Sequence, residues 1–144
     1  MAKRTEIIAR GLLIRDGHVL LCKSLAGGYL YLPGGHVEFG EGCRDALARE
    51  FVEEAGVRVR VGALAGVSEA TFEQGGKRRH EVNLVFHVEL PGPRRGKLPP
   101  VVSQENEITF EWVPQGKAGK LDVRPAAAKR LIRAKAVRFD SDLQ

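Results

Sequence analysis

The chain has 144 residues, a formal net charge of +5 and 43% hydrophobic residues. That is the size and composition of one ordinary globular domain, able to bury roughly two-thirds of its unfolded surface. No apolar run is long enough to cross a membrane, MAKRTEIIAR carries no signal-peptide pattern, and Cys22 and Cys43 lack a CxxC partner; these features argue against a zinc or dithiol site and fit a reducing cytoplasm.

In chain order, EIIARGLLIR and HVLLCKS read as strands flanking the two-residue turn Asp16-Gly17. YLYLPGG is a short strand running into a tight turn, since glycine reaches backbone angles that other residues avoid. The loop from Gly35 to Gly42 then leads into a helix that begins near Cys43 and stops at Gly56. On this helix Glu50, Glu53 and Glu54 share an arc of about 100°, beside an apolar arc of Leu47, Ala48, Phe51, Val52 and Ala55. Like charges at this spacing cost a few tenths of a kcal/mol each, and the last turn of a helix favours cations over anions. Two readings follow. Either the acids form a solvated face that tolerates the cost, or a hard cation, Mg²⁺ or Mn²⁺, sits against them. A loop and helix joined in this way can aim a backbone carbonyl of Gly34 or Gly35 and the helix carboxylates at one point. Arg49, beside Glu50 and one turn from Glu53, can hold the acids in place. Glu41 either pairs with Arg49 or binds a second metal, and Glu38 is either solvated or a further ligand.

Beyond the helix, VRVRVGALAGVSEATF alternates as extended structure, and Gly75-Gly76 turns it into RHEVNLVFHVEL. There Val82, Leu84, Phe86, Val88 and Leu90 share one face, and Glu81, Asn83, His87 and Glu89 the other. Glu81 and His87 either line a cleft or are satisfied at the surface. PGPRRGKLPP reads as a loop, and EITFEWVP as a strand with Ile108, Phe110 and Trp112 on one side. Arg124-Pro125 is expected to open a helix running to about Val137. A single domain over 1–139 would then end in a loose tail at 140–144. The basic stretches GGKRRH, RRGK and KRLIRAKAVR suit a polyphosphate partner or plain solvation, with Lys77-Arg78-Arg79 the better phosphate candidate.

Residues 32 to 57 give the pattern Gly35-x5-Glu41-x7-Arg49-Glu50-Phe51-x-Glu53-Glu54-x-Gly56-Val57. This resembles the signature of the Nudix hydrolases, with every fixed position filled and Phe51 and Val57 in its aliphatic-or-aromatic slots. The resemblance implies an α/β/α sandwich with a mixed β-sheet between helices. It also implies hydrolysis of a pyrophosphate bond in a nucleoside diphosphate linked to another group. Glu50, Glu53 and Glu54, with a carbonyl of Gly34 or Gly35, would then hold one or more Mg²⁺ (or Mn²⁺) ions. Arg49 would steady the acids, and Glu53, Glu105 or Glu107 would take the proton from the attacking water. Glu38, Glu41, Arg78, Arg79 and Phe72 are the substrate-contact candidates, and Tyr29, Tyr31 and Phe72 can stack on a base. The segment ATFEQGG lacks both the proline that marks ADP-ribose hydrolases and the tyrosine typical of dinucleoside polyphosphate hydrolases. A nucleoside triphosphate or a nucleotide sugar is the favoured substrate. The alternatives are an enzyme acting on RNA 5′-triphosphate ends and a non-catalytic nucleotide-binding regulator. Homodimers are common in this family.

Overall fold

The structure is a computed structural model describing residues 3–92 and 97–143. Strands β1 (Glu6–Arg15) and β2 (His18–Ser24) form the expected hairpin, followed by β3 (Leu30–Tyr31), β4 (Gly34–His36) and helix α1 (Cys43–Ala55). Long strands β5 (Arg60–Gln74) and β6 (Lys77–Glu89) follow, then β7 (Ile108–Pro114), a 3-10 helix (Gln115–Lys120), α2 (Ala126–Leu131) and β8 (Arg138–Asp142). The sheet runs β3-β2-β1-β6-β5-β8, with β4 added to β1 and β7 to β2. It is mixed: β1 lies parallel to β6 and β5 parallel to β8, while the other pairs are antiparallel.

Alternation along the strands splits the core into two layers. Ala9, Leu13, Leu20, Phe86 and Val88 pack with Leu47, Phe51 and Ala55 of α1. Leu12, Val19, Leu21, Leu32 and Val85 pack with Ala128, Leu131 and Ile132 in and beside α2. Helix α1 forms because its apolar stripe has this first layer to meet. Burying Leu47 and Phe51 contributes about 1.5–3 kcal/mol each. The helix ends at Gly56, whose φ of 66° lets its N–H turn back to the Val52 carbonyl at 3.0 Å.

Two expectations need correction. The C-terminal helix is only Ala126–Leu131, not 124–137. The tail expected over 140–144 is, as far as Asp142, part of strand β8, whose register runs from Gly66↔Arg138 to Ala70↔Asp142. The reason is the open edge of β5, whose backbone donors and acceptors β8 satisfies. Arg130, which pairs with Asp140 and Asp142, ties the strand to α2. The polar face of β6, left open between cleft and surface, divides in the structure. Glu81 and Asn83 are buried while His87 is exposed, because β6 lies mid-sheet with the second core layer over that face. Of the basic stretch 94–97, only Lys97 belongs to the described residues. No helix among the described residues is long and apolar enough to cross a membrane.

Docking of β8 has a direct test. A Cβ on Gly66 would lie 2.7 Å from the Arg138 carbonyl oxygen and 2.9 Å from Leu131. Gly66→Val should lower unfolding free energy in urea by about 1–3 kcal/mol. An unchanged midpoint would show that β8 does not pack against β5.

Candidate active site

The box loop is fixed by strand pairing before its side chains matter. Gly34 and Gly35 stand opposite Arg10 and Ala9 of β1. Gly34 has φ 145°, and a Cβ there would lie 1.9 Å from the Ala9 carbonyl oxygen, so only glycine fits. A Cβ on Gly35 would fall 2.4 Å from the carboxylate carbon of Glu50. The Glu50 carboxylate therefore lies directly on the loop backbone.

Arg49 organises the acids. Its Nε and Nη2 donate to the two oxygens of Glu41 at 2.8 and 3.0 Å. Its Nη1 donates to Glu50 at 3.0 Å and to Glu53 at 3.2 Å, and Nη2 also donates to the His36 carbonyl at 3.1 Å. The paired, planar contact to Glu41 needs a guanidinium and is stronger than a single ion pair. It holds the Glu41 carboxyl below the usual range, helped by the Glu38 N–H, which donates to it at 3.2 Å. Glu41 is thus paired with Arg49. The Glu38 side chain itself is exposed.

Glu54 is different. Burial first, then a hydrogen bond and repulsion from Glu50 and repulsion from Glu105, push its carboxyl up to about 8, against the pull of Arg10. Glu54 thus holds its proton beside the Glu50 carboxylate. A cation in place of that proton would remove the repulsion. Among the described residues no three Asp, Glu, His or Cys side chains gather into a cage. The donor set still fits Mg²⁺ or Mn²⁺, which bind through one or two carboxylates and complete their octahedra with water and substrate oxygens.

Loop 103–107 docks on the end of α1 through Gln104 N–H, which donates to the Glu54 carbonyl at 2.7 Å. That puts the Glu105 charge within reach of Glu54. Glu107 is tied instead to the residue after β2, its carbonyl accepting from the Leu25 N–H at 3.0 Å. Glu53 is about half exposed, at 54%.

The substrate candidates separate. Arg79 donates from both Nε and Nη2 to Glu6, at 2.7 and 2.6 Å, and Glu6 also meets His36 at 2.7 Å, so Arg79 is already neutralised. Arg78 is exposed. Phe72, with Tyr29 and Tyr31, lines a cavity of about 800 Å³ that Arg10, Glu81 and Arg124 also border. Sequence reasoning missed Arg10, whose one available signal is a charge inside the apolar run EIIARGLLIR. Its Nε and Nη1 donate to Asn83 at 3.2 Å and to the Leu32 carbonyl at 3.1 Å, and its guanidinium stands 5.7 Å from the centre of the Tyr31 ring.

A mixed sheet between helices, a glycine loop pinned on β1 and an arginine gathering box glutamates together make one recognisable arrangement. A family model described as the NUDIX domain matches residues 5–134, and the chain belongs to that family. It is 34% identical over 85 residues to an ADP-ribose pyrophosphatase of Methanocaldococcus jannaschii, covering 57% of this chain and 49% of that protein. It is 40% identical over 88 residues to a MutT-like protein of Streptomyces ambofaciens, covering 60% and 53%. The chain thus matches about half the length of these curated relatives. A solved MutT protein from Methanosarcina mazei Go1 shares the fold, with a TM-score of 0.70 at 24% identity over 92% of this chain and 93% of that one.

The raised Glu54 carboxyl predicts a pH effect on stability without divalent ions. The folded chain keeps this proton to about pH 8, whereas the unfolded chain releases it near 4.5. The contribution of Glu54 to stability is therefore fully present below 4.5 and is lost as pH rises towards 8. In chelator-treated protein, wild type should lose on the order of 1 kcal/mol more than Glu54→Gln between pH 5 and 9, after allowing for partial exposure. Equal losses in urea titrations would show that Glu54 is not buried against Glu50.

Proposed function

We propose that this chain is a metal-dependent pyrophosphohydrolase that splits the diphosphate of a nucleoside diphosphate linked to another moiety, a nucleoside triphosphate or nucleotide sugar first. The observation that carries this reading is the Arg49-centred arrangement that lays Glu50 on the Gly35 backbone with Glu54 beside it. Glu50, Glu53 and Glu54, with a loop carbonyl of Gly34 or Gly35, would hold Mg²⁺ or Mn²⁺. When bound, the metal neutralises charge developing on the diphosphate and makes water a stronger nucleophile.

The rest is done by the chain. Arg49 keeps Glu50 and Glu53 turned towards one point and offsets their mutual repulsion. Glu105, beside Glu54, is the better-placed proton acceptor of the two loop acids, with Glu53 the candidate within the box. Arg10 borders the cavity and its charge reaches Glu54, which suits a phosphate oxygen on its way to the nucleoside. Tyr29, Tyr31 and Phe72 offer ring faces of the size a base needs.

The curated relative named an ADP-ribose pyrophosphatase makes ADP-ribose a necessary member of any substrate panel. RNA 5′ ends have less support, because Arg79 is paired with Glu6 and not free for phosphate. Retention of all the box carboxylates favours an enzyme over a regulator that only binds nucleotides.

The test is turnover of nucleoside triphosphates, nucleotide sugars, ADP-ribose and 5′-triphosphorylated RNA with Mg²⁺ or Mn²⁺, with products resolved. At least one nucleoside diphosphate derivative should be cleaved only with metal. Glu53→Gln and Glu54→Gln should each lower kcat by about 100-fold or more in folded protein. Full activity in both variants, or in chelator, would contradict the proposal.

A further inference from the structure

Glu81 is a buried carboxylate that the chemistry above does not use. Its side chain is 9% exposed, yet it borders the same cavity as Tyr29, Tyr31 and Phe72. It is poorly satisfied. Asn83 Nδ2 donates to its Oε1 at 3.5 Å, the outer limit of a hydrogen bond. Arg10 Nη2 stands 3.8 Å away, near enough to offset charge and too far to donate well. Nor is Arg10 free to swing closer, because Asn83 and the Leu32 carbonyl hold its other nitrogens. A carboxylate has about four lone-pair positions, and those facing the cavity are open to donors of a ligand. The cavity itself, at about 800 Å³, falls within the range of small-molecule sites.

Position decides which part of a ligand would fill those lone pairs. Arg10, Glu81 and Phe72 lie on the adjacent strands β1, β6 and β5. Arg10 is the member of this row whose charge is felt at Glu54. A substrate with its diphosphate at the acids would pass Arg10 and place its nucleoside on Glu81. We propose that Glu81 reads the nucleoside, accepting hydrogen bonds from two neighbouring donors and selecting ligands that carry such a pair. Two groups on a nucleotide have this chemistry: the N1–H and N2–H₂ edge of guanine, and the 2′,3′-diol of ribose. The proposal rests on the pyrophosphohydrolase reading and gives that reading a specificity residue.

The experiment compares GTP, ITP (which lacks the N2 amino group), ATP and 2′,3′-dideoxy-GTP on wild type and Glu81→Gln, with Mn²⁺ present. In wild type, kcat/KM for GTP should exceed that of at least one donor-deleted analogue by about 10- to 100-fold, mostly through KM. A deficit on ITP assigns the pair to guanine, and a deficit on the dideoxy compound assigns it to ribose. In Glu81→Gln, whose amide puts a donor against donors, the same ratio should fall to within a few-fold. Wild type treating all four alike would overturn the proposal, and that result needs no variant to fold. So would a folded Glu81→Gln that keeps the wild-type ratio. Calorimetric binding of GMP, IMP and 2′,3′-dideoxy-GMP gives the same ratios without turnover. If no nucleotide were hydrolysed, the enzymatic reading would fail while the Glu81 proposal would still be decided by these affinities.

Discussion

The candidate site depends on one guanidinium. Arg49 binds Glu41 through two nitrogens, reaches Glu50 and Glu53 with a third contact point and caps the His36 carbonyl. Without it, the helix would present like charges in a turn whose dipole disfavours them. With it, the repulsion becomes a fixed geometry: Glu41 is neutralised, Glu50 is pressed onto Gly35, and Glu53 is kept at the rim. Glu54 stands outside this network, and burial together with the Glu50 and Glu105 charges raises its carboxyl. A site in which most charges are compensated and one is not is suited to taking up a cation.

Strand β1 connects this acidic site to the cavity. Its Ala9 and Arg10 pair with the box glycines. The Ala9 side chain joins the core under α1, while the Arg10 side chain borders the cavity. The same two residues thus set the height of the glycine loop beside the acids and the edge of the space beside it. The proposed chemistry then belongs to α1 and its loop, and the proposed selection to the sheet. The cavity wall also includes Ser141, Asp142 and Leu143, so the C-terminal strand contributes to that wall. Asp142 accepts from the Ala127 N–H at the start of α2, which steadies that wall.

The box was legible in the sequence because its logic is local. Glycine, loop length, arginine and glutamates act within a single turn–loop–helix, and their spacing alone places Glu50, Glu53 and Glu54 on one helix edge. The long strands were legible for the same reason, through alternation. The cavity was not, because Arg10, Tyr31, Phe72, Glu81 and Arg124 are brought together only by sheet order, and period-two patterning says nothing of which strands become neighbours. Glu81 shows the limit well. Alternation put it on a polar face, but only the central place of β6 buries that face. β8 was missed because FDSD has no apolar alternation, its pairing being satisfied by backbone bonds to β5 and by ion pairs to Arg130.

The central claim is that the acidic edge of α1, held by Arg49, grips a divalent ion in readiness for a diphosphate. Manganese binding followed by electron paramagnetic resonance, on wild type and Glu54→Gln, addresses it without any assumption about substrate. The account predicts saturable Mn²⁺ uptake by wild type and affinity weakened by at least about 10-fold in the variant. Equal affinities in the two proteins, or no specific uptake by wild type, would contradict it.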